Sequence, residues 1–146
     1  MKPGSILLVE DNPDDALLSK RALEKHCAGT EIVVAVDGVQ ALELLLGVRP
    51  DLPPAGLPAL VLLDLKLPRV DGLEVLRRIR ADARTQHLPV VILTSSREEQ
   101  DLTSSYDLGC NSYIRKPVDF AQFSLAVKTL GLYWMVFNEV PPARGV

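Results

Sequence analysis

The stretch that decides the fold is Val61-Leu62-Leu63-Asp64-Leu65-Lys66-Leu67-Pro68, in which a short apolar run ends abruptly in a carboxylate. A continuous apolar run of this kind is typical of a buried strand in a parallel sheet. In open α/β sheets, ligands bind just beyond the carboxyl ends of the strands. Asp64 is therefore a candidate functional residue, although an aspartate that follows a strand can also simply cap a turn.

Strand-like and helix-like segments alternate five times along the chain. We predict strands at 5–9, 31–36, 59–63, 89–93 and 111–115. We predict helices at 13 to about 25, 39–46, 73 to about 82, 98–108, and from a cap at 119 to about 137. Such alternation implies an α/β fold of three layers, with helices on both faces of a parallel sheet. We expect a flavodoxin-like five-stranded sheet in the order 2-1-3-4-5.

Size and periodicity further define the domain. The 146 residues fit one domain, which we expect to span 1–140, with a structured core at 5–137 and a tail at 141–146. A proline-rich loop at 47–58 is long for a connection, and we interpret it as a tolerated insertion, with a functional surface as the alternative. In the first helix, helical spacing predicts that the inward-facing residues are Leu17, Leu18, Ala22 and Leu23.

Composition and charge exclude several classes of protein. The net charge is −3 and no basic run is present, so a nucleic-acid surface is not expected. No apolar stretch is long enough to cross a membrane, and no secretion signal is visible. Cys27 and Cys110 do not make a disulfide framework, and we interpret them as reduced thiols in a cytoplasmic protein.

Chemically distinctive side chains follow four of the five predicted strands. Glu10 and Asp11 follow the first strand, Asp64 the third, Thr94 the fourth and Lys116 the fifth. Singly, these residues have ordinary explanations as solvated acids, a strand-end hydroxyl and a surface lysine. In the expected strand order, however, these four strands are neighbours, so the side chains would meet at one edge of the sheet.

The combination favours metal-assisted phosphoryl transfer. Three carboxylates placed close together repel one another unless a cation lies among them. Hard oxygen ligands select Mg²⁺ or Mn²⁺. A carboxylate such as Asp64 is also a possible nucleophile toward phosphorus, which gives an aspartyl phosphate. The cation, the Lys116 ammonium and the Thr94 hydroxyl would then neutralise and hold the phosphate oxygens.

From Ile6 to about Leu130, the sequence resembles the receiver domain of two-component response regulators. The resemblance is carried by the motifs Leu8-Val9-Glu10-Asp11, Leu62-Leu63-Asp64-Leu65-Lys66-Leu67-Pro68, Asp71-Gly72, Pro89-Val90-Val91-Ile92-Leu93-Thr94 and Tyr113-Ile114-Arg115-Lys116-Pro117. It implies that Asp64 is the phosphoacceptor and that a sensor histidine kinase supplies the phosphoryl group. It further implies that Thr94 and Lys116 bind this group.

The same resemblance assigns the metal ligands and a switch. It implies that the side chains of Glu10, Asp11 and Asp64 and the backbone carbonyl of Lys66 hold Mg²⁺, directly or through water. It also identifies Tyr113 as an aromatic switch residue that turns inward when the threonine of the site moves toward the phosphate.

The resemblance also implies how the protein acts. We expect a phosphoacceptor without an output domain, which is not an enzyme in the usual sense but assists its own phosphotransfer and dephosphorylation. The insertion, together with Ser-Tyr-Asp-Leu at 105–108, is similar to single-domain regulators that partner bacterial phytochromes. No nucleic-acid or membrane partner is expected.

The last predicted helix carries more apolar surface than one buried face requires. One stripe at three-four spacing consists of Phe120, Phe123, Val127, Leu130, Trp134 and Phe137. We interpret this stripe as an interface, either for a homodimer or for another partner, because aromatic residues are enriched in interfaces. The alternative is a helix end that folds back on its own domain.

Three other functions are weaker. A phosphatase of the haloacid-dehalogenase type needs a second acid two residues after the nucleophile, where this chain has Lys66. A nucleotide-binding module would need a glycine-rich loop after the first strand, and none is present. A receiver-like interaction module that is never phosphorylated remains the alternative, although the complete set of site residues disfavours it.

Overall fold

The computed structural model describes residues 1–47, 56–116 and 120–141. Within these ranges, strands and helices alternate, and a π-helical segment, Tyr133–Phe137, directly continues the last α-helix. The strands are β1 (Ile6–Val9), β2 (Ile32–Ala35), β3 (Leu60–Leu63), β4 (Val90–Thr94) and β5 (Ser112–Arg115). The helices are α1 (Pro13–His26), α2 (Gly38–Leu46), α3 (Gly72–Ala81), α4 (Glu99–Asp107) and α5 (Phe120–Leu132).

The strands form one parallel sheet in the order β2-β1-β3-β4-β5, which confirms the predicted topology. The register pairs Val9 of β1 with Leu63 of β3, and Thr94 of β4 with Arg115 of β5. Because all strands run in the same direction, the residues that follow them emerge at one edge of the sheet. This register brings the predicted site residues to that edge.

Both faces of the sheet are apolar because helices cover both of them. Neighbouring residues of a strand point to opposite faces. On β1, Leu7 and Val9 pack with α2 and α3, whereas Ile6 and Leu8 pack with α1 and α5. The helix α4 packs beside β5 and α3 at the edge of the sheet. The central strands therefore read as continuous apolar runs, which is why the sequence predicted them well.

Side-chain caps fix where three helices begin. Asn12 accepts hydrogen bonds from the backbone N–H groups of Asp14 (2.9 Å) and Asp15 (3.2 Å), and proline occupies the first helical position of α1. Asp37 caps α2 through the N–H of residue 40 at 2.7 Å. Asp71 caps α3 through the N–H of residue 74 at 2.9 Å. These caps set the first turns of the helices that border the site.

The prediction of which α1 residues face the core is partly wrong. Ala22 and Leu23 are buried, but Leu17 is 48% exposed and Leu18 is 38% exposed. The buried face also includes Ser19. At about 100° per residue, position 17 points away from a face centred on 19, 22 and 23, and position 18 lies beside its edge.

The apolar stripe of α5 lies against its own domain. Phe123, Val127 and Leu130 are buried with the strands in the core on the α1 side of the sheet, and Trp134 packs against them. For Phe123, Val127 and Leu130, the prediction of an intermolecular interface is therefore wrong, because their own domain already covers them. The side chains of Phe120 and Phe137 lie outside the described part of the structure.

Other predictions also fall outside the described residues. These are most of the proline-rich insertion, at 48–55, the cap at 119, and positions 142–146 of the tail. Among the described helices, none has the length and apolarity needed to cross a membrane.

Candidate functional site

Three carboxylates meet at the carboxyl edge of β1 and β3. Glu10 directly follows β1 and is buried, Asp11 is exposed, and Asp64 directly follows β3 and is buried. One carboxylate oxygen from each lies within 4.8 Å of the other two. The structure thus brings together the three acids that the sequence identified as metal ligands.

Lys116 supplies a cation to this acidic cluster. Its Nζ donates to Oδ2 of Asp64 at 2.9 Å, and it also contacts Oε1 of Glu10. The backbone N–H of Lys116 donates to the carbonyl of Thr94 at 2.8 Å, which fixes the point where the chain leaves β5. The predicted convergence of residues from both ends of the chain is therefore present.

Asp15 is a fourth carboxylate of the site that the sequence analysis missed. It lies in the first turn of α1, and its Oδ2 is 3.0 Å from Nζ of Lys116. Acidic residues in the first turn of a helix are ordinary in sequence, because acids favour the positive end of any helix dipole. The one signal in the sequence was that Asp15 lies five residues after Glu10, in a helix that starts at the same edge of the sheet.

Both oxygens of Asp64 have hydrogen-bond partners. The hydroxyl of Thr94, which is completely buried at the end of β4, donates to Oδ1 of Asp64 at 2.8 Å. The backbone N–H of Lys66 donates to the same oxygen at 3.2 Å. With Lys116 on Oδ2, the carboxylate is held in one orientation.

Burial and charge shift the pKa values of two groups in the site. Burial raises the pKa of Glu10 to about 7, and the nearby charge of Asp64 adds to this effect, while the hydrogen bond from Lys116 opposes it. Burial lowers the pKa of Lys116, but its hydrogen bonds to Glu10 and Asp64 and their charges outweigh burial and raise it. The lysine is therefore a permanent cation among more numerous carboxylates.

The donor set fits a divalent cation. Oxygen atoms from Glu10, Asp11 and Asp64 are close enough to share one ion, and carboxylate oxygens are the ligands that Mg²⁺ and Mn²⁺ prefer. One exposed acid among two buried ones leaves the ion a solvent-facing side, which suits cations that keep several water ligands.

A glycine allows α3 to start directly behind Asp64. A Cβ atom on Gly72 would lie 2.2 Å from the carbonyl oxygen of Asp64, much closer than real Cβ contacts. The N–H of Gly72 donates to the carbonyl of Leu65 at 2.9 Å. The Asp71-Gly72 pair of the sequence motif therefore closes the loop after β3 tightly around the backbone of the site.

Ion pairs hold that loop on both flanks. Nη1 of Arg69, whose φ is +67°, lies 3.1 Å from Oδ2 of Asp37 at the start of α2. Nζ of Lys66 lies 3.2 Å from Oδ2 of Asp101 in α4. Hydrogen bonds from the hydroxyl of Ser96 and from Lys66 lower the pKa of Asp101. No motif in the sequence indicated either pair.

Tyr113, the predicted switch residue, lies in β5 and is half-buried. Its ring packs against the core on the α2 and α3 side of the sheet. Its hydroxyl is buried and has no hydrogen-bond partner among the described residues. A buried hydroxyl is stabilised when it finds a hydrogen-bond partner.

The sequence of the chain matches a known family over most of its length. The sequence profile described as "Response regulator receiver domain" matches residues 6–128. The chain belongs to this family of receiver domains. Receiver domains are signalling modules that interact with histidine kinases, and they are generally not classed as enzymes. The acidic pocket of Glu10, Asp11 and Asp64 fits divalent-metal binding and a phosphoacceptor aspartate.

Two relatives of this receiver domain match it over most of their length. It is 41% identical to the probable methanogenesis regulatory protein FilR2 of Methanothrix harundinacea, over 95% of this chain and 88% of that protein. It is 33% identical to the response regulator Rcp1 of Synechocystis, over 97% of this chain and 95% of that protein.

Two solved structures of similar proteins have the same fold, and one of them is a metal-bound form. The phosphorylated cyanobacterial phytochrome response regulator RcpA is 36% identical, with a TM-score of 0.86, over 97% of this chain and all (100%) of that one. The Mn²⁺-bound form of Rcp1 is 34% identical, with a TM-score of 0.83, over 96% of this chain and 100% of that one. This receiver domain is therefore similar to phytochrome response regulators in both sequence and fold.

Proposed function

We propose that Asp64 accepts a phosphoryl group from the phosphohistidine of a sensor histidine kinase. The observation that carries the proposal is the environment of its carboxylate. Oδ1 accepts from Thr94 at 2.8 Å, and Oδ2 accepts from Lys116 at 2.9 Å. A nucleophilic carboxylate needs this kind of fixed orientation, and phosphoryl transfer depends mainly on positioning and charge neutralisation.

The reaction is a displacement at phosphorus. An oxygen of Asp64 forms the new P–O bond, the P–N bond of the phosphohistidine breaks, and the electron pair of that bond stays on the imidazole nitrogen. The Lys116 ammonium already contacts Asp64 and would pair with the phosphoryl oxygens. The Thr94 hydroxyl donates to Asp64 in the unphosphorylated structure, and it can donate to a phosphoryl oxygen once Asp64 is phosphorylated.

We propose Mg²⁺ as the cation, with Mn²⁺ as an alternative, held by Glu10, Asp11, Asp64 and the carbonyl of Lys66. When bound, it would neutralise charge on the phosphoryl oxygens. The three clustered carboxylates support this proposal, as does the Mn²⁺-bound form of the relative Rcp1. With these groups, the domain would assist its own phosphorylation and dephosphorylation.

The proposed output is a conformational switch through Thr94 and Tyr113. Phosphorylation adds about −1.5 to −2 units of charge at Asp64. Movement of the Thr94 hydroxyl toward that charge would vacate space in the core beside β4. The Tyr113 ring packs on this core with an unpartnered hydroxyl, so a different position can satisfy that group. The ring and α4 would then shift between two packings.

The proposed kinase is a bacterial phytochrome, and the proposed location is the cytoplasm. Similarity to RcpA, a phytochrome response regulator, supports the partner. Two free cysteines, Cys27 and Cys110, support a reducing compartment.

We also propose a homodimer through the C-terminal helix, on surface residues that differ from the predicted stripe. The exposed apolar residues of this helix are Leu125, Leu132, Tyr133 and Val136. Size-exclusion chromatography of wild type and Val136→Glu at low micromolar concentration tests the proposal. The wild type should elute as a dimer and the variant as a monomer. If both proteins elute as monomers, the proposal is rejected.

Phosphorylation by a small phosphodonor tests the main function. Wild type, Asp64→Asn and Asp14→Asn are incubated with Mg²⁺ and acetyl phosphate, and intact mass is recorded. Asp14 is an exposed acid at the start of α1 and serves as the matched control. Wild type and Asp14→Asn should each gain one acid-labile phosphoryl group, and Asp64→Asn should gain none. Equal labelling of all three proteins would reject the proposal.

A further inference from the structure

Asp101 joins α4 to the loop that follows β3. Its Oδ2 accepts a hydrogen bond from the hydroxyl of Ser96 at 2.6 Å and lies 3.2 Å from Nζ of Lys66. The side chain of Asp101 is 12% exposed, whereas that of Lys66 is 61% exposed. A nearly buried carboxylate is thus shared between a hydroxyl on one side and a surface ammonium on the other.

Both partners of Asp101 are connected to Asp64 by hydrogen bonds. The N–H of Ser96 lies 3.3 Å from the hydroxyl oxygen of Thr94, which donates to Oδ1 of Asp64 at 2.8 Å. The backbone N–H of Lys66 donates to the same Oδ1 at 3.2 Å. These five residues form a closed ring of contacts, which we call the Asp101 ring.

The ring is firmly anchored on its α4 side. The buried hydroxyl of Ser105 donates to the carbonyl of Asp101 at 2.7 Å. The N–H of Glu98 donates to the hydroxyl oxygen of Ser96 at 3.3 Å. The backbone of Asp101 and the hydroxyl of Ser96 are therefore held by other groups of this segment, and Lys66 is the exposed partner of the carboxylate.

We propose that Asp101 is a positioning residue for metal binding, which acts by holding Lys66. The ion pair keeps the backbone of Lys66 beside Asp64, where the Lys66 carbonyl is a proposed metal ligand. This inference rests on the proposed function, because it concerns the same cation. Exposed ion pairs are normally worth little, but here the carboxylate already accepts a hydrogen bond from Ser96, so less side-chain entropy is lost when the pair forms.

A purely electrostatic effect predicts a different result. Removing the positive charge of Lys66 should strengthen binding of a nearby cation, and removing the negative charge of Asp101 should weaken it. If Asp101 positions the loop, both changes should weaken binding, because either one breaks the same ion pair. The sign of the effect at Lys66 therefore separates the two explanations.

The test is a calorimetric titration of Mg²⁺ into the unphosphorylated full chain. The proteins are wild type, Lys66→Met, Asp101→Asn and the double variant. Methionine keeps most of the lysine stem and leaves the backbone groups of residue 66 in place. The control is Arg77→Met, since Arg77 forms an exposed ion pair with Glu74 on α3, 2.8 Å from Nε to Oε1, outside the ring.

Lys66→Met and Asp101→Asn should each weaken Mg²⁺ binding, on the order of 10-fold as for other residues that orient metal ligands. The double variant should bind no more weakly than the weaker single variant, and Arg77→Met should bind like wild type. Lys66 is exposed, so its variant should fold even if Asp101→Asn does not. Unchanged or tighter binding by Lys66→Met would overturn the proposal.

The same samples separate this proposal from the proposed function. If wild type binds Mg²⁺ and is not phosphorylated by acetyl phosphate, the proposed function fails, while weaker binding by Lys66→Met still supports the role of Asp101. If wild type is phosphorylated but Lys66→Met binds Mg²⁺ as tightly as wild type, the role of Asp101 alone fails.

Discussion

The hydroxyl oxygen of Thr94 lies 2.8 Å from Oδ1 of Asp64, and both side chains are buried at the ends of adjacent strands. This contact places a neutral donor against the carboxylate that we propose as phosphoacceptor. A change in charge at Asp64 therefore acts directly on Thr94, which ends β4 just before the loop to α4.

Removing the Thr94 hydroxyl should slow phosphorylation. In Thr94→Val the shape is kept but the donor to Asp64 is lost. Loss of one preorganised donor to a transition state costs about 100-fold in rate. The measurement is the initial rate with acetyl phosphate and Mg²⁺, with Thr94→Ser as the variant that keeps the hydroxyl. A Thr94→Val rate equal to that of wild type would argue against a role for this donor.

Removing the charge of Lys116 should destabilise the metal-free protein and increase its stabilisation by Mg²⁺. Lys116 contacts Glu10, Asp15 and Asp64, and these carboxylates would lose their shared cation. Loss of one partner of a buried ion pair costs about 3–5 kcal/mol. Thermal unfolding of Lys116→Met, with and without Mg²⁺, should show a larger rise in Tm than wild type. Lys116→Arg is the charge-keeping control, and equal rises in all three would contradict the prediction.

Replacement of Asp11 should remove stabilisation by the metal without harming the metal-free fold. Asp11 is exposed, so Asp11→Asn leaves the core unchanged and removes one carboxylate ligand. A ligand at 100 times its Kd stabilises a folded protein by about 2.7 kcal/mol. Urea unfolding should show that Mg²⁺ stabilises wild type and the control Asp14→Asn but scarcely stabilises Asp11→Asn, and that chelation reverses the effect. Stabilisation of Asp11→Asn equal to that of wild type would exclude Asp11 as a ligand.

A methyl group at Gly72 should disturb both stability and phosphorylation. The added Cβ would clash with the carbonyl of Asp64, at a cost of about 1–3 kcal/mol. The control is Gly131→Ala, whose Cβ would meet Sγ of Cys27 at 2.4 Å, far from the site. Urea unfolding should show a loss of stability in both variants. The rate of phosphorylation should fall only in Gly72→Ala, and a normal rate there would refute the argument.

The fold and the core of the site were predictable because both follow from where strands end. Buried parallel strands appear as apolar runs, and their shared direction brings the following residues to one edge. Glu10, Asp64 and Thr94 each lie at the end of such a run, and Lys116 follows the half-buried β5, so their meeting required only the strand order.

The missed features depend on packing between elements that are distant in sequence. Periodicity shows that α5 has an apolar face, but it does not show whether the sheet or a partner covers it, so Phe123 and Val127 were misassigned. In the same way, sequence does not distinguish Asp14, Asp15 and Asp101, because each is an acid in the first turn of a helix. Only the three-dimensional arrangement distinguishes the two that contact lysines of the site.

The most direct test of the account locates the phosphoryl group. The full chain is phosphorylated with acetyl phosphate and Mg²⁺, reduced with borohydride, which converts an aspartyl phosphate to homoserine, and sequenced by tandem mass spectrometry. We predict homoserine at position 64 and none without Mg²⁺. Homoserine at position 11 or 15 instead, or an unmodified Asp64 in a protein that carries the phosphoryl group, would contradict it.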